Sequence, residues 1–198
     1  MSTTVYFVRH AEPNYQNHDD AQRELTEKGL QVSIKVTEYL KDKGVHQIYS
    51  SPFKRAVDTI KHLSETLNLQ IHQKEDFRER KIDNVWIEDF DSFVKQQWQN
   101  FAYKLKDGES LGEVQERQVR GLNELLVLHP NETIVVGSHG TALSTLINYY
   151  SPNFGLQEFQ KIKSIFPFLV KFTFTQQTCL SVTLINILED PVYEKSLV

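Results

Sequence analysis

An arginine and a histidine stand side by side at the end of a short apolar run, Val5-Tyr6-Phe7-Val8-Arg9-His10. A guanidinium holds an oxyanion well, and an imidazole near neutral pH can attack or carry a proton, so the pair has the parts for chemistry on an anion. Taken alone, it is equally a surface loop that happens to contain both residues. Three more segments have the same form, polar groups released after an apolar stretch: Ser50-Ser51-Pro52-Phe53-Lys54-Arg55-Ala56, Phe77-Arg78-Glu79-Arg80 and Val135-Val136-Gly137-Ser138-His139-Gly140. β-Branched and aromatic runs of this length suit strands buried on both faces, and open α/β sheets bind ligands at the edge where such strands end.

In this order, the Arg-His pair, the Ser-Ser-Pro-x-x-Arg-Ala turn, the Glu-Arg pair and the late Ser-His-Gly resemble the histidine phosphatase superfamily, also called the phosphoglycerate mutase-like family, over residues 5–141. The resemblance implies an α/β fold, a three-layer αβα sandwich on a mostly parallel sheet of about six strands with one antiparallel edge strand. It implies a single domain over residues 1–198 with a variable helical cap insertion at about residues 83–108. The activity it implies is metal-independent hydrolysis of a phosphomonoester through a phosphohistidine, with no cofactor. Carried over residue by residue, His10 is the nucleophile, Arg9 and Arg55 bind the phosphoryl group, His139 stabilises its charge and Glu79 is the acid/base. Where relatives carry Trp and then Asn, this chain has Tyr15 and Gln16, so the phosphate contact falls to Gln16 or Asn17, and Arg80 is a candidate for a second acidic group on the substrate.

The residue types fit that chemistry. Phosphoryl transfer needs a nucleophile in line with the leaving oxygen, positive charge on the equatorial oxygens and an acid for the departing alcohol. A neutral imidazole at His10 divides the reaction into two easier steps, and neighbouring arginines disfavour its imidazolium. Arg55 falls in the first turn of a predicted helix, where free N–H groups and the helix dipole already favour an anion. Arg9 and His10 point to opposite faces while the strand lasts, so both reach one phosphate only if the strand has ended. Glu79 has a competing reading as a salt-bridge partner of Arg78 or Arg80, and His139 as a packed strand-end residue whose neighbour Gly140 permits a sharp turn.

Alternating strands and helices must position these groups. Thr26 caps a helix running to about residue 43, with Leu30, Ile34, Thr37 and Leu40 on one stripe. Ser51-Pro52 reads as an N-cap followed by the first helical residue. Ser110 and Glu113 form a capping box for a long helix whose inward positions are Val114, Leu122, Leu125 and Leu128. Residues 133–137 read as a strand, residues 69–71 as a short one, and residues 168–174 and 179–187 as a closing antiparallel pair. The aromatic segment 86–103 suggests one or two helices roofing the pocket.

Composition narrows the function classes. A net charge of −4 with both signs interspersed gives no basic field for nucleic acid, and no apolar run approaches a membrane span or a secretion signal. The expected partner is a small phosphorylated metabolite, the expected setting cytoplasmic, and the oligomeric state is left open. The single cysteine, Cys179, sits in an alternating apolar run and reads as an inert thiol. The seven histidines lack His-Glu-x-x-His spacing, which disfavours a metalloenzyme. Two other readings stand beside hydrolysis: a mutase of the same family, and a phosphate-binding module of the same fold with weak turnover.

Overall fold

The computed structural model describes residues 2–85 and 87–198; Trp86, part of the expected aromatic roof, lies outside the described residues. In chain order the elements are β1 (Thr3–Arg9), α1 (Glu27–Leu40), β2 (Gln47–Ser50), α2 (Lys54–Leu67), β3 (Ile71–Gln73), a 3-10 turn (Glu75–Phe77), α3 (Phe90–Gln99), α4 (Leu111–Leu128), β4 (Thr133–Ser138), α5 (Gly140–Tyr150), α6 (Leu156–Ile162), β5 (Phe168–Thr175), β6 (Thr178–Asn186) and β7 (Tyr193–Ser196). Among the described residues these strands form one seven-stranded sheet in the order β3-β2-β4-β1-β5-β6-β7. β1 to β4 pair in parallel and β5 to β7 join antiparallel, so that β1, β2, β3, β4 and β6 share one direction. The fold is therefore the expected mostly parallel α/β sandwich. Its antiparallel part is larger than one edge strand: β5 lies inside the sheet against β1, and the exposed β7 adds an edge that has no apolar alternation to announce it.

Successive strand residues face opposite sides, which sorts the core into two layers. Val5 and Phe7 join Ile134, Val136, Leu122 and Leu143 beneath α4 and α5, whereas Tyr6 and Val8 join Ile48, Val135, Val36 and Ile60 beneath α1 and α2. The loop after β1 thus leaves toward one face and the loop after β4 toward the other. Neighbouring parallel strands whose connections diverge open a crevice at their carboxyl ends.

Local details depart from the pattern reading. On α1, Leu30 and Ile34 are exposed, while Gly29, Ser33, Val36, Thr37 and Leu40 are buried. Small residues take this face because the loop after β1 lies on it: a Cβ at Gly29 would stand 2.3 Å from the Glu12 carbonyl oxygen. Thr26 caps α1 as expected, and its own N–H donates to the same Glu12 oxygen at 2.9 Å. Ser51 does not cap α2, which begins at Lys54 after Phe53. The capping box of Ser110 and Glu113 is present, but Leu128 is 66% exposed and Leu126 is buried in its place. Among its described residues, segment 83–103 holds one helix, α3.

Because the Glu12 contact is backbone and cannot swing away, Gly29→Ala should destabilise the fold by about 1–3 kcal/mol, seen as a lower urea midpoint with little change in slope. An unchanged midpoint would mean that the loop after β1 is not seated on α1.

Candidate active site

The crevice between β1 and β4 is lined by Arg9, His10, Arg55, Glu79 and Arg80, with His139 buried behind His10 and outside the lining. β1 ends at Arg9, paired with Ser138, and the His10 N–H still donates to the Ser138 carbonyl at 3.1 Å before the chain turns. Arg9 therefore projects toward α6 and His10 toward α2, and both line one cavity because the strand stops between them. The cavity measures about 1170 Å³ and opens over the carboxyl edge of the sheet.

His10 is 5% exposed, and its protonation pattern follows from its partners. Its Nδ1 lies 2.8 Å from the Ala11 carbonyl oxygen, which can only accept, so the proton sits on Nδ1 and the lone pair on Nε2. Arg55 Nε donates to that lone pair at 3.3 Å. Thr59 fixes the turn, accepting the Ala11 N–H at 2.9 Å and donating to the Arg55 carbonyl at 2.7 Å. Burial, then Arg55 and Arg9, push the His10 pKa well below the ordinary histidine value.

His139 stands directly behind, fully buried, its ring centroid 5.3 Å from that of His10. Ser51, released from the capping role, accepts the Phe53 N–H at 3.2 Å and has its own O–H to give to His139 Nε2 at 2.8 Å. The other ring nitrogen, Nδ1, is buried with no partner. Burial, Arg55 and His10 depress this pKa as well. Gly140 serves a close approach and not a turn: a Cβ there would lie 3.0 Å from Arg9 Nε.

Arg9 is held where no sequence motif pointed. Its terminal nitrogens donate to the carbonyls of Ile162, Lys163 and Ile165 at 2.9, 2.7 and 3.1 Å, at the carboxyl end of α6, where the helix dipole favours a cation. The guanidinium lies 3.9 Å from the centroid of the Phe166 ring. Burial lowers its pKa to about 10, still a cation at neutral pH, and its Nε is left without a partner.

Among the described residues Glu79 forms neither salt bridge of its competing reading. Its Oε1 accepts from the Arg80 and Ala142 N–H groups at 2.8 and 2.9 Å and its Oε2 from Thr141 at 3.1 Å, which fixes the carboxylate at the N-terminus of α5 on the cavity wall. Arg78 instead pairs with Glu109 at 2.7 Å, as does Arg117 at 2.9 Å. Burial would raise the Glu109 pKa, but those two guanidiniums hold it at about 2. Arg80 is 4% exposed, donates to Gln97 Oε1 of α3 at 2.7 Å, packs on Phe90 and Phe93, and keeps an unpartnered Nε.

Gln16 and Asn17 stand away from the cavity lining; Asn17 gives its amide to Glu24 at 2.7 Å. The same loop supplies wall residues that pattern reading passed over, Tyr15, His18, Asp20 and Arg23. Only the D-x-x-R spacing of Asp20 and Arg23 in a polar loop could have flagged the last two. The roof of the cavity includes Phe90, Val94 and Lys95 of α3. Among the described residues no group of three or more His, Cys, Asp or Glu is placed to hold a metal ion, and no helix is long and apolar enough to cross a membrane.

Two predictions follow from burial. Folded His10 and His139 stay neutral, whereas the unfolded chain takes up protons at about pH 6.5, so stability is full above that pH and lost as pH falls below it. Replacing both by Gln should flatten the fall in urea midpoint between about pH 7 and about pH 5, a window above the titration of ordinary carboxylates; an undiminished slope would mean the imidazoles are charged when folded. Arg9→Lys cannot reach three carbonyls at once and should cost about 2–3 kcal/mol in the same measurement.

The sequence model of the histidine phosphatase superfamily (branch 1) matches residues 5–186. The uncharacterized phosphatase PhoE of Bacillus subtilis is 28% identical over 153 residues, 75% of this chain and 78% of that protein. A probable phosphoglycerate mutase, GpmB of Erwinia tasmaniensis, is 26% identical over 164 residues, 73% of each chain. Among solved structures, the phosphoserine phosphatase of Entamoeba histolytica in complex with 3-phosphoglyceric acid superposes with a TM-score of 0.72 at 22% identity, covering 91% of this chain and 96% of that one. With its sheet, its paired imidazoles and its buried arginines in place, the chain belongs to the histidine phosphatase superfamily.

Proposed function

We propose that the protein is a phosphomonoester hydrolase that works through a phosphohistidine at His10, without a metal, on a small phosphorylated metabolite. The observation that carries this reading is the pair of buried guanidinium nitrogens without protein acceptors, Arg9 Nε and Arg80 Nε, on the wall of the cavity that His10 also lines with its proton held on Nδ1 by the Ala11 carbonyl. Buried donors left unpaired destabilise a fold, and an anion bound here supplies the missing acceptors.

In the first step His10 Nε2 attacks phosphorus, the N–P bond forms, the ester P–O bond breaks, and Glu79 gives a proton to the departing alcohol oxygen. In the second, water attacks phosphorus, Glu79 takes its proton, and the P–N bond breaks to release phosphate and neutral His10. Arg9, Arg55 and His139 face the charge on the phosphoryl oxygens, in a site too buried for water to screen them. Arg80 takes a second acidic group of the substrate; the ligands named for the Entamoeba phosphatase, phosphoserine and 3-phosphoglyceric acid, each carry one. Residues 83–108 act as the cap over the pocket. A lone, half-buried Cys179 whose thiol pKa is raised by burial suits the reducing cytoplasm, which we take as the setting.

The test is phosphate release from p-nitrophenyl phosphate in the presence of chelator. His10→Ala should lower it by at least about 1000-fold while circular dichroism stays native, and acid-quenched wild-type protein should carry one phosphoryl group on His10. Activity that survives the substitution removes the mechanism. The GpmB relative favours one second reading, a mutase; it predicts faster phosphoryl transfer to monophosphoglycerate than to water.

A further inference from the structure

The loop between β1 and α1 brings a carboxylate into the anion site. Asp20 Oδ1 lies 3.0 Å from Arg55 NH2 and 3.2 Å from Arg23 NH1, and the Asp20 carbonyl accepts from Arg55 NH1. The third side of the same guanidinium, Nε, points at His10 Nε2. All three Arg55 nitrogens thus contact one residue of the loop or one imidazole, and the hydrogen bond from Nε covers the lone pair that has to reach phosphorus.

We propose that Asp20 is an internal anion that holds Arg55 in this resting position and is displaced by the phosphoryl group. It is a positioning residue, acting on His10 through Arg55, and the proposal rests on the phosphate-site reading above.

Three features of the geometry favour displacement over permanent pairing. The Asp20 side chain is 49% exposed while that of Arg55 is 3% exposed, so the carboxylate can move into water and the guanidinium cannot. An exposed carboxylate pairs weakly, and a phosphoryl dianion offers the same guanidinium more charge and more acceptor oxygens. The loop is built to keep its backbone while this side chain swings: Asp19 Oδ1 accepts the Ala21 and Gln22 N–H groups at 3.0 Å, and the Ala21 carbonyl accepts the Lys54 N–H at 2.9 Å. Arg23, with its Nε on the Asn17 carbonyl at 2.8 Å, already shares the Asp20 carboxylate and can keep it when Arg55 lets go. When the carboxylate leaves, Arg55 turns from His10 toward the phosphoryl oxygens, and the nucleophile is uncovered only when its target has arrived.

The measurement is inorganic phosphate binding by titration calorimetry, with KM for p-nitrophenyl phosphate beside it, in Asp20→Asn and Asp20→Ala. Removing the competing charge should tighten phosphate by about three- to tenfold and lower KM in the same direction in both variants. Phosphate binding that is unchanged or weaker in both overturns the proposal, since Asp20 would then be idle or would hold Arg55 ready for substrate. Should Ala unfold the loop, Asn keeps the side-chain size and decides. Calorimetry separates this proposal from the hydrolase reading: tighter phosphate with no turnover in any form sinks the enzyme and leaves the displacement, and turnover with unchanged phosphate affinity does the reverse.

Discussion

Four arginines that cannot be neutralised are buried within one region, and the surrounding structure is an answer to that constraint. Arg9, Arg55, Arg80 and Arg117 are each less than 9% exposed. A buried guanidinium needs oxygen acceptors in a plane around it, or its charge is too costly to keep out of water. Each finds a different supplier: the last carbonyls of α6 for Arg9, a loop residue for Arg55, the Gln97 amide for Arg80 and Glu109 for Arg117. What the suppliers leave unsatisfied is as informative. Arg9 and Arg80 each retain one N–H with no acceptor, on the wall of the same cavity.

The neutral imidazoles follow from the same concentration of charge. With guanidiniums this close and water excluded, protonating His10 or His139 would add a buried cation beside others, so both pKa values fall. Neutrality in turn makes the His10 tautomer decidable: the carbonyl beside Nδ1 only accepts, so the proton sits there, while the Ser51 hydroxyl beside His139 Nε2 can donate or accept and orients that ring. Ser51 and Ala11 are thus not incidental to the motifs they sit in. They orient the rings, and a backbone carbonyl does so with no side chain that a motif could reveal.

Support for the site is uneven by design of the fold. The imidazoles stand on the ends of β1 and β4 in the centre of the sheet, and Glu79 is anchored by backbone N–H groups at the start of α5. The wall opposite is made by a polar loop and by α3, whose hold on the rest includes Gln97, fully buried and bonded to Arg80, Tyr103 and Glu109.

Sequence by itself determined most of the strands and helices and the family, because apolar runs of fixed period and short motifs are local properties. The burial of β1 and β4 and the capping box at Ser110 were legible in that way. It misplaced what depends on distant chain: the α1 stripe, where Gly29 is buried beneath the Glu12 backbone, and Ser51, whose hydroxyl turns from its own helix to a histidine 88 residues away. Gln16 and Asn17 were chosen by position in a motif, yet loop folding turned Asp20 and Arg23 to the cavity instead. Tertiary structure alone decided which acceptor each arginine meets. For Arg9 they are backbone carbonyls alone, and Arg55 and Arg117 each use them beside a carboxylate; every residue has such a carbonyl and no residue type announces it.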